Sequence, residues 1–481
     1  MAVRRILTLI TSGTIAVSAA LASASPRSDP TVGRAVFTGA TLPSPTSISL
    51  DPAAIGLPPT LKLQIYLALT STLEQLAIDR KTLDLDSGAL SSGAHVRDVG
   101  LGPGGTFAAL WHPNERLTLG FQASMPPPEM QPDDRQPLRY QTLGTGQRSY
   151  DTTAGVSLLV TDGFYVGASL THENTFLHLR YARDTALVAG HGAGGIDSDC
   201  GGARCGVENP AATELYDVTV RAPWFATSNL RVNVGTVVQV ATDVWIALAY
   251  HTPPGFAIQT ELDGTMAVTR APRDGGTVLH GDSTVYVSYP ASADGEVRAR
   301  LPKDLDLHVG GRWEDLSRLQ AYDVRGYAST FRANGIPEQM LRARGLHDAF
   351  ALWAGVEQVE VDERNPFRFG ARIGYETSSV NSDRLSAMTV APSAVTLDLG
   401  AQTRIGDSVF QLSYGIAYSP TITVDHSAFD PRYQLECIEA DNDYATRGCG
   451  AARNGYALPS ADGDYRRIDH SIRLGFRHEF H

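Results

Sequence analysis

The C-terminal stretch, residues 465–481, constrains the fold more than any other feature of the chain, because its residues alternate in character from Ile472 onward. Successive side chains of a β-strand point to opposite sides, so alternating residues lie on opposite faces. One face of this stretch is apolar and aromatic, with Ile472, Leu474, Phe476, His478 and Phe480. The other face is polar, charged or small, with Ser471, Arg473, Gly475, Arg477 and Glu479. The pattern predicts a strand with one apolar and one polar side.

The same alternation recurs in residues 367–375 and 410–418. The apolar set in the first is Phe367, Phe369, Ala371, Ile373 and Tyr375, and in the second Phe410, Leu412, Tyr414, Ile416 and Tyr418. A soluble two-layer β-domain could contain one such strand. Repeated aliphatic and aromatic faces opposite wet faces are typical of a membrane barrel with a polar interior. The sequence therefore predicts an all-β fold, a transmembrane antiparallel β-barrel whose last strand pairs with its first.

Composition agrees with this interpretation without deciding it. The hydrophobic content is 42% and the mean hydropathy is −0.14, too polar for a helical membrane protein. Alternating barrel strands average out in this way, and so do those of a secreted soluble β-protein. The formal charge of −12 argues against a nucleic-acid partner, because phosphate binding needs a basic surface.

The first residues have the pattern of an export signal. Arg4 and Arg5 precede a short apolar run, Ile6–Val17, and small-residue cleavage sites follow at positions 20–22 and 22–24. The apolar run is too short to span a bilayer as a helix. We therefore expect residues 1–24 to be a signal peptide.

Four cysteines fall into two local pairs, each between candidate strands. Four cysteines allow three connectivities. In an oxidising compartment the local pairings are the most economical, which predicts disulfides Cys200–Cys205 and Cys437–Cys449. A metal site is the alternative, but neither pair has CxxC spacing or a nearby histidine cluster. No metal site is expected.

Residues 25–59 lack strand character and carry a recognisable motif series. Gly33-Arg34-Ala35, Gly39-Ala40 and Asp51-Pro52-Ala53-Ala54 occur in order before the first strand. This series resembles the N-terminal hatch of the FadL/TodX family of outer-membrane channels for long-chain fatty acids and hydrocarbons. The family typically has Asn-Pro-Ala where this chain has Asp51, Pro52 and Ala53. The resemblance implies a hatch at 25–59 in the lumen of a barrel at 60–481.

The resemblance also implies location and partners. It places the protein in the outer membrane of a Gram-negative bacterium, in contact with membrane lipids and lipopolysaccharide and dependent on the barrel-assembly machinery. It implies a hydrophobic small-molecule ligand and no cofactor. It also implies about fourteen strands, which agrees with the number of candidate strands after position 60, with tight turns and long loops alternating between them.

Several boundaries in this series are specific expectations. The first strand is expected at Leu61–Ile78, followed by a loop at Leu83–Gly105 that contains the glycine-rich run around Pro103. An eighth strand is expected at Ala299–Trp313, and a helix from Pro337. The glycine-rich run is not expected to bind a nucleotide, because no βαβ unit follows it.

The function predicted from these features is uptake of hydrophobic molecules through a plugged barrel. Candidate ligand-binding residues are the inward tryptophans Trp245 and Trp353 and the inward Arg372. An arginine could hold a carboxylate bidentately. The alternative is that inward arginines, Arg368, Arg372, Arg473 and Arg477, pair with lumen acids or with the hatch.

Two other functions compete with transport. A surface adhesion or structural barrel would use its long loops and transport nothing. An outer-membrane hydrolase is disfavoured because the sequence contains no GxSxG or HExxH motif. The sequence therefore predicts no enzymatic activity.

Overall fold

The computed structural model describes residues 36–57, 62–83, 90–125, 142–184, 213–224, 226–257, 259–359, 367–425, 427 and 461–480. In chain order its strands are β1 (Leu63–Leu83), β2 (Leu90–Asn114), β3 (Leu117–Met125), β4 (Gly144–Thr161), β5 (Phe164–Asp184), β6 (Thr213–Arg221), β7 (Leu230–Ala241), β8 (Val244–His251), β9 (Thr260–Thr269) and β10 (Val278–Val287). They continue with β11 (Ser292–Leu301), β12 (Leu305–Glu314), β13 (Ala321–Gly326), β14 (Gln339–Ala343), β15 (Ala349–Gln358), β16 (Phe367–Glu376), β17 (Ala394–Ile405), β18 (Ser408–Tyr418), β19 (Ile422–Val424) and β20 (Gly463–Phe480).

Helical structure in the described residues is short. One α-helical segment spans Ser329–Ala333, and single 3₁₀ turns make up the rest: Pro45–Ser49, Ala54–Gly56, Thr227–Asn229, Pro254–Ala257, Pro272–Asp274, Leu316–Arg318 and Ser382–Arg384. No helix in these ranges is long and apolar enough to cross a membrane.

Fourteen of the described strands close into an antiparallel barrel. Their order around the wall is β1, β2, β3, β4, β5, β7, β8, β11, β12, β15, β16, β17, β18 and β20. The last strand pairs with the first over its whole length, from Leu63 opposite Phe480 to Arg80 opposite Gly463. The predictions of a closed antiparallel barrel and of about fourteen strands are confirmed.

The two faces of the wall follow the alternation in the sequence. Leu474 on β20 and Phe369 on β16 point outward and are 56% and 58% exposed, whereas Arg473 points inward and is 1% exposed. Outward aliphatic and aromatic residues continue around the barrel, as lipid contact requires. The fold is therefore a transmembrane barrel, built from strands that are apolar outside and polar inside.

Turns and loops separate to opposite ends of the barrel. Tight turns join β2 to β3, β4 to β5, β7 to β8, β11 to β12 and β17 to β18, and the start of β1 lies at the same end. We call this the short-turn end, or the lower end of the barrel. The opposite end is the long-loop end, or the upper end. Five further strands, β6, β9, β10, β13 and β14, continue the wall beyond the barrel from the upper part of β5. This extension was not predicted.

The predicted eighth strand, Ala299–Trp313, is wrong because a turn divides it. Leu301 pairs with Leu305 across residues 302–304, and Lys303 and Asp304 both have positive φ. Odd-numbered residues remain apolar on both sides of this three-residue turn, so the alternation passes through it in phase. The alternation of residues therefore gives no sign of this turn.

Two other expectations are corrected. The loop predicted at Leu83–Gly105 is mostly strand, since β2 begins at Leu90 and Pro103 pairs with Ser71 of β1. β3 ends at Met125, opposite Gly105. Beyond that point the other edge of β2 has no described neighbour, and a proline that lacks an N–H is tolerated at such an edge. The helix expected from Pro337 lies earlier, at Ser329–Ala333.

Candidate functional site

The lower part of the lumen contains the chain segment Val36–Leu57, which we call the inner segment. All of its residues are buried except Pro43 and Ser49, which are half-buried. Its 3₁₀ turns, Pro45–Ser49 and Ala54–Gly56, lie against the inward faces of β1 to β5 and β7. The side chains of Ile48 and Ile55 pack with Leu110 of β2.

Wall side chains bind the backbone of the inner segment from several directions. Short polar contacts join seven strands to it: Ser157 Oγ to Ala53 O (2.9 Å), His251 Nε2 to Leu50 O (3.1 Å), Thr41 N to Glu296 Oε1 (3.2 Å), Phe37 N to Glu357 Oε1 (3.0 Å), Arg372 Nη2 to Thr38 O (2.8 Å), and both Gln411 Nε2 (2.9 Å) and Arg473 Nη2 (3.1 Å) to Val36 O. Buried backbone groups need such partners. These contacts satisfy groups that a segment without strand pairing would otherwise leave bare.

Glycines in the wall make room for the segment. Gly167 of β5 and Gly235 of β7 pair across the ladder, and the turn at Asp51–Ala53 lies against both. A Cβ on Gly235 would overlap Asp51 Oδ1, and one on Gly167 would overlap the Pro52–Ala53 peptide. The wall therefore accepts the segment only because these positions carry no side chain.

A second glycine pair receives the beginning of the segment. Gly370 of β16 and Gly400 of β17 are partners, and a Cβ on either would press on Val36 and Phe37. Phe37 has a φ of 67°, a region that bulky residues avoid. Surrounding contacts must hold it there. They are supplied by the glycine pair and by Glu357, which accepts the Phe37 N–H.

Asp51, the first residue of the predicted hatch motif, has one satisfied carboxylate oxygen and one without a protein partner among the described residues. Its Oδ1 accepts from Ala53 N at 2.8 Å. Burial, and the nearby carboxylates of Asp294 and Glu296, raise the pKa of Asp51 well above its usual value. A neutral carboxylic acid in this place has much the same shape and acceptor as the asparagine typical of the family.

Carboxylate, arginine and histidine side chains surround the inner segment in the lumen. His308 lies 3.4 Å from Glu296, and Arg312 lies 2.8 Å from Asp294. Asp294 also contacts His251, which binds the Leu50 carbonyl. Charges buried this deeply need partners. These residues form a belt around the inner segment. Glu296 of the belt accepts the N–H of Thr41, and His251 contacts the carbonyl of Leu50.

The three predicted ligand-binding residues all face inward, into this charged surrounding. The guanidinium of Arg298 lies over the Trp245 ring at 4.0 Å, and Trp245 packs on a cluster that includes Leu57. Trp353 is buried between Gly310 and Gly374 of its neighbouring strands. Arg372, one strand away, pairs with Glu357 at 3.2 Å.

These contacts separate the three residues. Trp353 and Arg372 lie on adjacent strands, β15 and β16, whereas Trp245 lies on β8, three strands from β15 in the barrel order. For Arg372 the structure shows the alternative that sequence reasoning left open, namely an acid and the inner segment as partners. A ligand-binding role for the three residues stays a prediction.

The upper part of the lumen holds a large apolar cluster that sequence reasoning missed. This upper apolar cluster combines inward residues from strand ends with residues of the long-loop connections, and includes Leu76, Ile78, Val96, Leu179, Tyr181, Tyr216, Met266, Phe331, Met340, Leu385, Val390 and Tyr465. Tyr181 and Tyr216 stack at 5.0 Å, with Arg342 over Tyr181. The connection between β16 and β17 contributes buried residues to it, so the lumen is also filled toward the long-loop end.

Periodicity gives only a weak signal for this cluster. On β5 the inward residues change from Ser169, Thr171 and Glu173 to Leu177 and Leu179 along the strand. That change could have been noticed, but the contributing connections have no regular pattern. The four cysteines of the predicted disulfides lie outside the described residues.

The similarity of this chain to known proteins is found in its structure and not in its sequence. No protein-family model matches the sequence, and no curated protein matches it. Solved structures match over nearly the whole chain. A FadL homologue of Pseudomonas aeruginosa aligns with a TM-score of 0.70 at 14% identity, covering 97% of this chain and 100% of that one.

Two further matches carry the same architecture. The toluene transporter TodX of P. putida aligns with a TM-score of 0.60 at 12% identity, covering 90% of this chain and 94% of its own. The toluene transporter TbuX of Ralstonia pickettii aligns with a TM-score of 0.57 at 14% identity, covering 95% and 98%. At such identities the likeness concerns fold: the chain has the FadL/TodX-type barrel fold that its hatch motif and strand pattern predicted.

Proposed function

We propose that the protein is a channel of the Gram-negative outer membrane that takes up hydrophobic small molecules. One observation carries the proposal, namely that the described lumen is occupied both by the inner segment and by the upper apolar cluster. A barrel of fourteen strands is wide enough to enclose an aqueous channel when nothing fills it. A filled lumen suits a protein that binds its cargo and rearranges to release it.

The inner segment and the upper apolar cluster differ in chemistry, and this difference suggests the order in which a ligand would meet them. Apolar groups gather toward the long-loop end, while charges and hydrogen bonds gather around the inner segment. Burial of apolar ligand surface contributes about 25 cal/mol per Å². A hydrophobic molecule is therefore proposed to bind first among the residues of the upper apolar cluster, and then to pass the inner segment.

The comparisons support the same class of cargo. Two of the matched structures are described as toluene transporters, and another is described as a monoaromatic hydrocarbon channel. The proposed ligands are accordingly hydrocarbons or long-chain fatty acids. The proposal needs no cofactor and no covalent chemistry, and its partners are membrane lipids, lipopolysaccharide and the barrel-assembly machinery.

In this proposal residues 25–59 act as a plug, residues 1–24 as a signal peptide and residues 60–481 as the barrel. The contacts of Val36–Leu57 with seven strands support the plug. Deleting residues 25–59 should leave a heat-modifiable barrel whose single-channel conductance is raised. An unchanged conductance would mean that the segment does not limit conductance and that the upper apolar cluster alone accounts for closure of the lumen.

Ligand binding tests the transport proposal directly. Detergent-purified protein should bind at least one of three probes: dodecanoate, dodecane or toluene. Trp353→Ala and Arg372→Ala test the predicted pocket in the same assay. If no probe binds, a surface structural or adhesion barrel becomes the better explanation. Loop deletions that abolish attachment, in a protein whose wild type takes up none of the probes, would favour that explanation too.

A further inference from the structure

Each strand of the extension continues one strand of the barrel after a short interruption. The five pairs are β6 with β7, β8 with β9, β10 with β11, β12 with β13 and β14 with β15. The connections within these pairs, in which no described residue belongs to a strand, are residues 222–229, 252–259, 288–291, 315–320 and 344–348. β5 runs past the first of them without interruption, since it pairs with β7 up to His172 and with β6 from Phe176. We call the five connections the wall break.

The wall break crosses neighbouring strands at one level. His251 ends β8, Ser292 begins β11, Glu314 ends β12 and Ala349 begins β15. In this order each of the four residues is the direct cross-strand partner of the next. Direct partners of an antiparallel ladder lie side by side. The interruptions therefore form one continuous line across the wall.

The barrel strands below this line have the length that a bilayer requires. β7, β8, β11, β12 and β15 contain 12, 8, 10, 10 and 10 residues. A transmembrane strand needs about 9–11 residues to cross the hydrocarbon core. The wall break therefore lies one bilayer core above the short-turn end.

The outer face of the wall changes in character at the same line. Just below it, the outward residues next to the wall break include the exposed aromatic side chains of Tyr250 and Phe350. Just above it, the exposed outward residues of β6 and β9 include Arg221, Glu261 and Asp263. An apolar band that ends in aromatic residues and gives way to charges is the pattern of a barrel wall where it leaves the lipid.

Two connections of the wall break expose large aromatic side chains. Trp224 in the first is 63% exposed, and Phe256 in the second is 59% exposed. The first connection contacts β5 and lies close to Asn174, which is buried although it belongs to the outward face of that strand. On the lumen side, Ala222 and Tyr289 of the wall break are buried in the upper apolar cluster. The exposed rings therefore belong to the outer surface.

The two connections hold each other in place. Gly255 lies so close to Ser228 that a Cβ would be 2.9 Å from the Ser228 Cα, and Thr260 Oγ1 donates to Ser228 O at 3.3 Å. Phe256 itself has a φ of 57°, which bulky residues seldom adopt. Its N–H donates to Pro253 O at 3.1 Å. The backbone thus keeps an apolar ring on the outer surface in a conformation that costs free energy.

We propose that the wall break lies at the bilayer surface on the long-loop side, and that Trp224 and Phe256 insert there between lipid head groups and acyl chains as an anchor. The partner is the lipid surface, because the two rings continue the outward apolar face of the barrel and charged residues begin directly above them. Aromatic rings favour this interfacial layer. The extension would then stand outside the membrane. The inference does not depend on the transport of any ligand.

The test measures the depth of tryptophan side chains in full-length protein folded into phosphatidylcholine vesicles. Bromine atoms on the acyl chains quench tryptophan fluorescence on contact, and they are placed either near the head groups or near the methyl ends. Iodide is the quencher in water. The chain has five tryptophans, so the signal of Trp224 is taken as the difference between the wild type and Trp224→Phe.

Two further variants move the probe within the Trp224→Phe background. Phe256→Trp places it at the second anchor position. Tyr327→Trp is the matched control, because Tyr327 is also an exposed aromatic residue but is separated from the wall break by the whole of β13. Heat-modifiability on gels verifies that each variant is folded.

The signals of Trp224 and of Phe256→Trp should lose most of their intensity to bromines near the head groups. Bromines near the methyl ends and iodide should quench both signals only weakly. The Tyr327→Trp signal should be quenched by iodide and by neither brominated lipid.

Other outcomes overturn the inference in distinguishable ways. Quenching of Trp224 by iodide alone would place the wall break in water. Strongest quenching by bromines near the methyl ends would place it inside the hydrocarbon core. If no quencher acts on Trp224, a second copy of the chain or another protein covers the rings in place of lipid. None of these results bears on ligand uptake, so the proposed function stands or falls by its own binding assay.

Discussion

Gly167 of β5 and Gly235 of β7 are direct partners in the barrel wall, and the Asp51–Ala53 turn of the inner segment lies on both of them. The absence of two side chains thereby fixes where a non-strand segment can sit inside a barrel. Strand glycines are often explained by such close backbone approach. Here the two backbones that approach each other are those of the barrel wall and of the inner segment.

Replacing one of these glycines should displace the inner segment. A Cβ at position 235 would overlap the Asp51 carboxylate, so Gly235→Ala should loosen the turn while the barrel strands stay paired. We expect a heat-modifiable protein with raised conductance in planar bilayers. Gly295→Ala is the control, because its Cβ would be no closer than 3.4 Å to Leu248. A folded Gly235→Ala protein with wild-type conductance would contradict the assignment of the segment as a plug.

Asp51 should make the docking of the inner segment pH-dependent. Burial raises the pKa of Asp51 in the docked state, whereas a released segment has the ordinary pKa. Docking is therefore at full strength below the ordinary pKa and weakens as pH rises through the raised pKa. Conductance of the wild type should increase over that range. Asp51→Asn keeps the Oδ1 acceptor for Ala53 and cannot ionise, so its conductance should stay low and flat; an equal pH response in both proteins would remove Asp51 as the cause.

Glu296 should be required for the same docking through its hydrogen bonds. It accepts from the N–H and the hydroxyl of Thr41 and lies beside His308. Glu296→Ala leaves the buried N–H and hydroxyl of Thr41 without their acceptor, and a buried donor left unsatisfied costs about 1–3 kcal/mol. Limited proteolysis should then cut the inner segment much faster. Glu338→Ala, which breaks an exposed pair with Arg332, serves as control and should leave the cutting rate unchanged.

A charge introduced at an outward position should lower the unfolding free energy more in the barrel than in its extension. Leu474 is 56% exposed in the barrel wall, and Val278 is 52% exposed on β10 in the extension. Leu474→Arg should cost about 2–4 kcal/mol of unfolding free energy in lipid vesicles if the position lies near the bilayer midplane. Val278→Arg should cost under about 1 kcal/mol, because the extension is expected to lie away from the bilayer midplane. Equal costs in urea titrations would mean that the membrane boundary is misplaced.

Periodicity predicted the barrel because alternate residues of each wall strand face two different environments, the apolar outside and the polar lumen. Residues such as Phe369 and Leu474 are exposed on the outer face, while Arg473 on the opposite face is buried, and the sequence alternates accordingly. Periodicity failed where that rule does not apply. The turn at Lys303 and Asp304 preserves the phase of the pattern, and β6 and β9 carry polar residues on their exposed faces, such as Asp217 and Glu261.

The lumen was harder to predict because its residues contact partners that are distant in the chain. Arg372 and Arg473 look alike in sequence, each an inward arginine among small residues. Only the fold shows that Glu357 lies beside Arg372 and that no described acid lies beside Arg473. The Asp51 motif was recognised by resemblance, but its contact with Gly235 comes from residues far apart in the chain.

The inner segment precedes β1, yet it is bound by side chains of β4, β8, β11, β15, β16, β18 and β20. A segment held from so many sides is expected to be enclosed as the strands pair, so that the pairing of β1 with β20 is a late step of assembly. Such late, long-range closure makes folding slow. The residues proposed to block the finished pore would thus already be enclosed before the barrel wall closes.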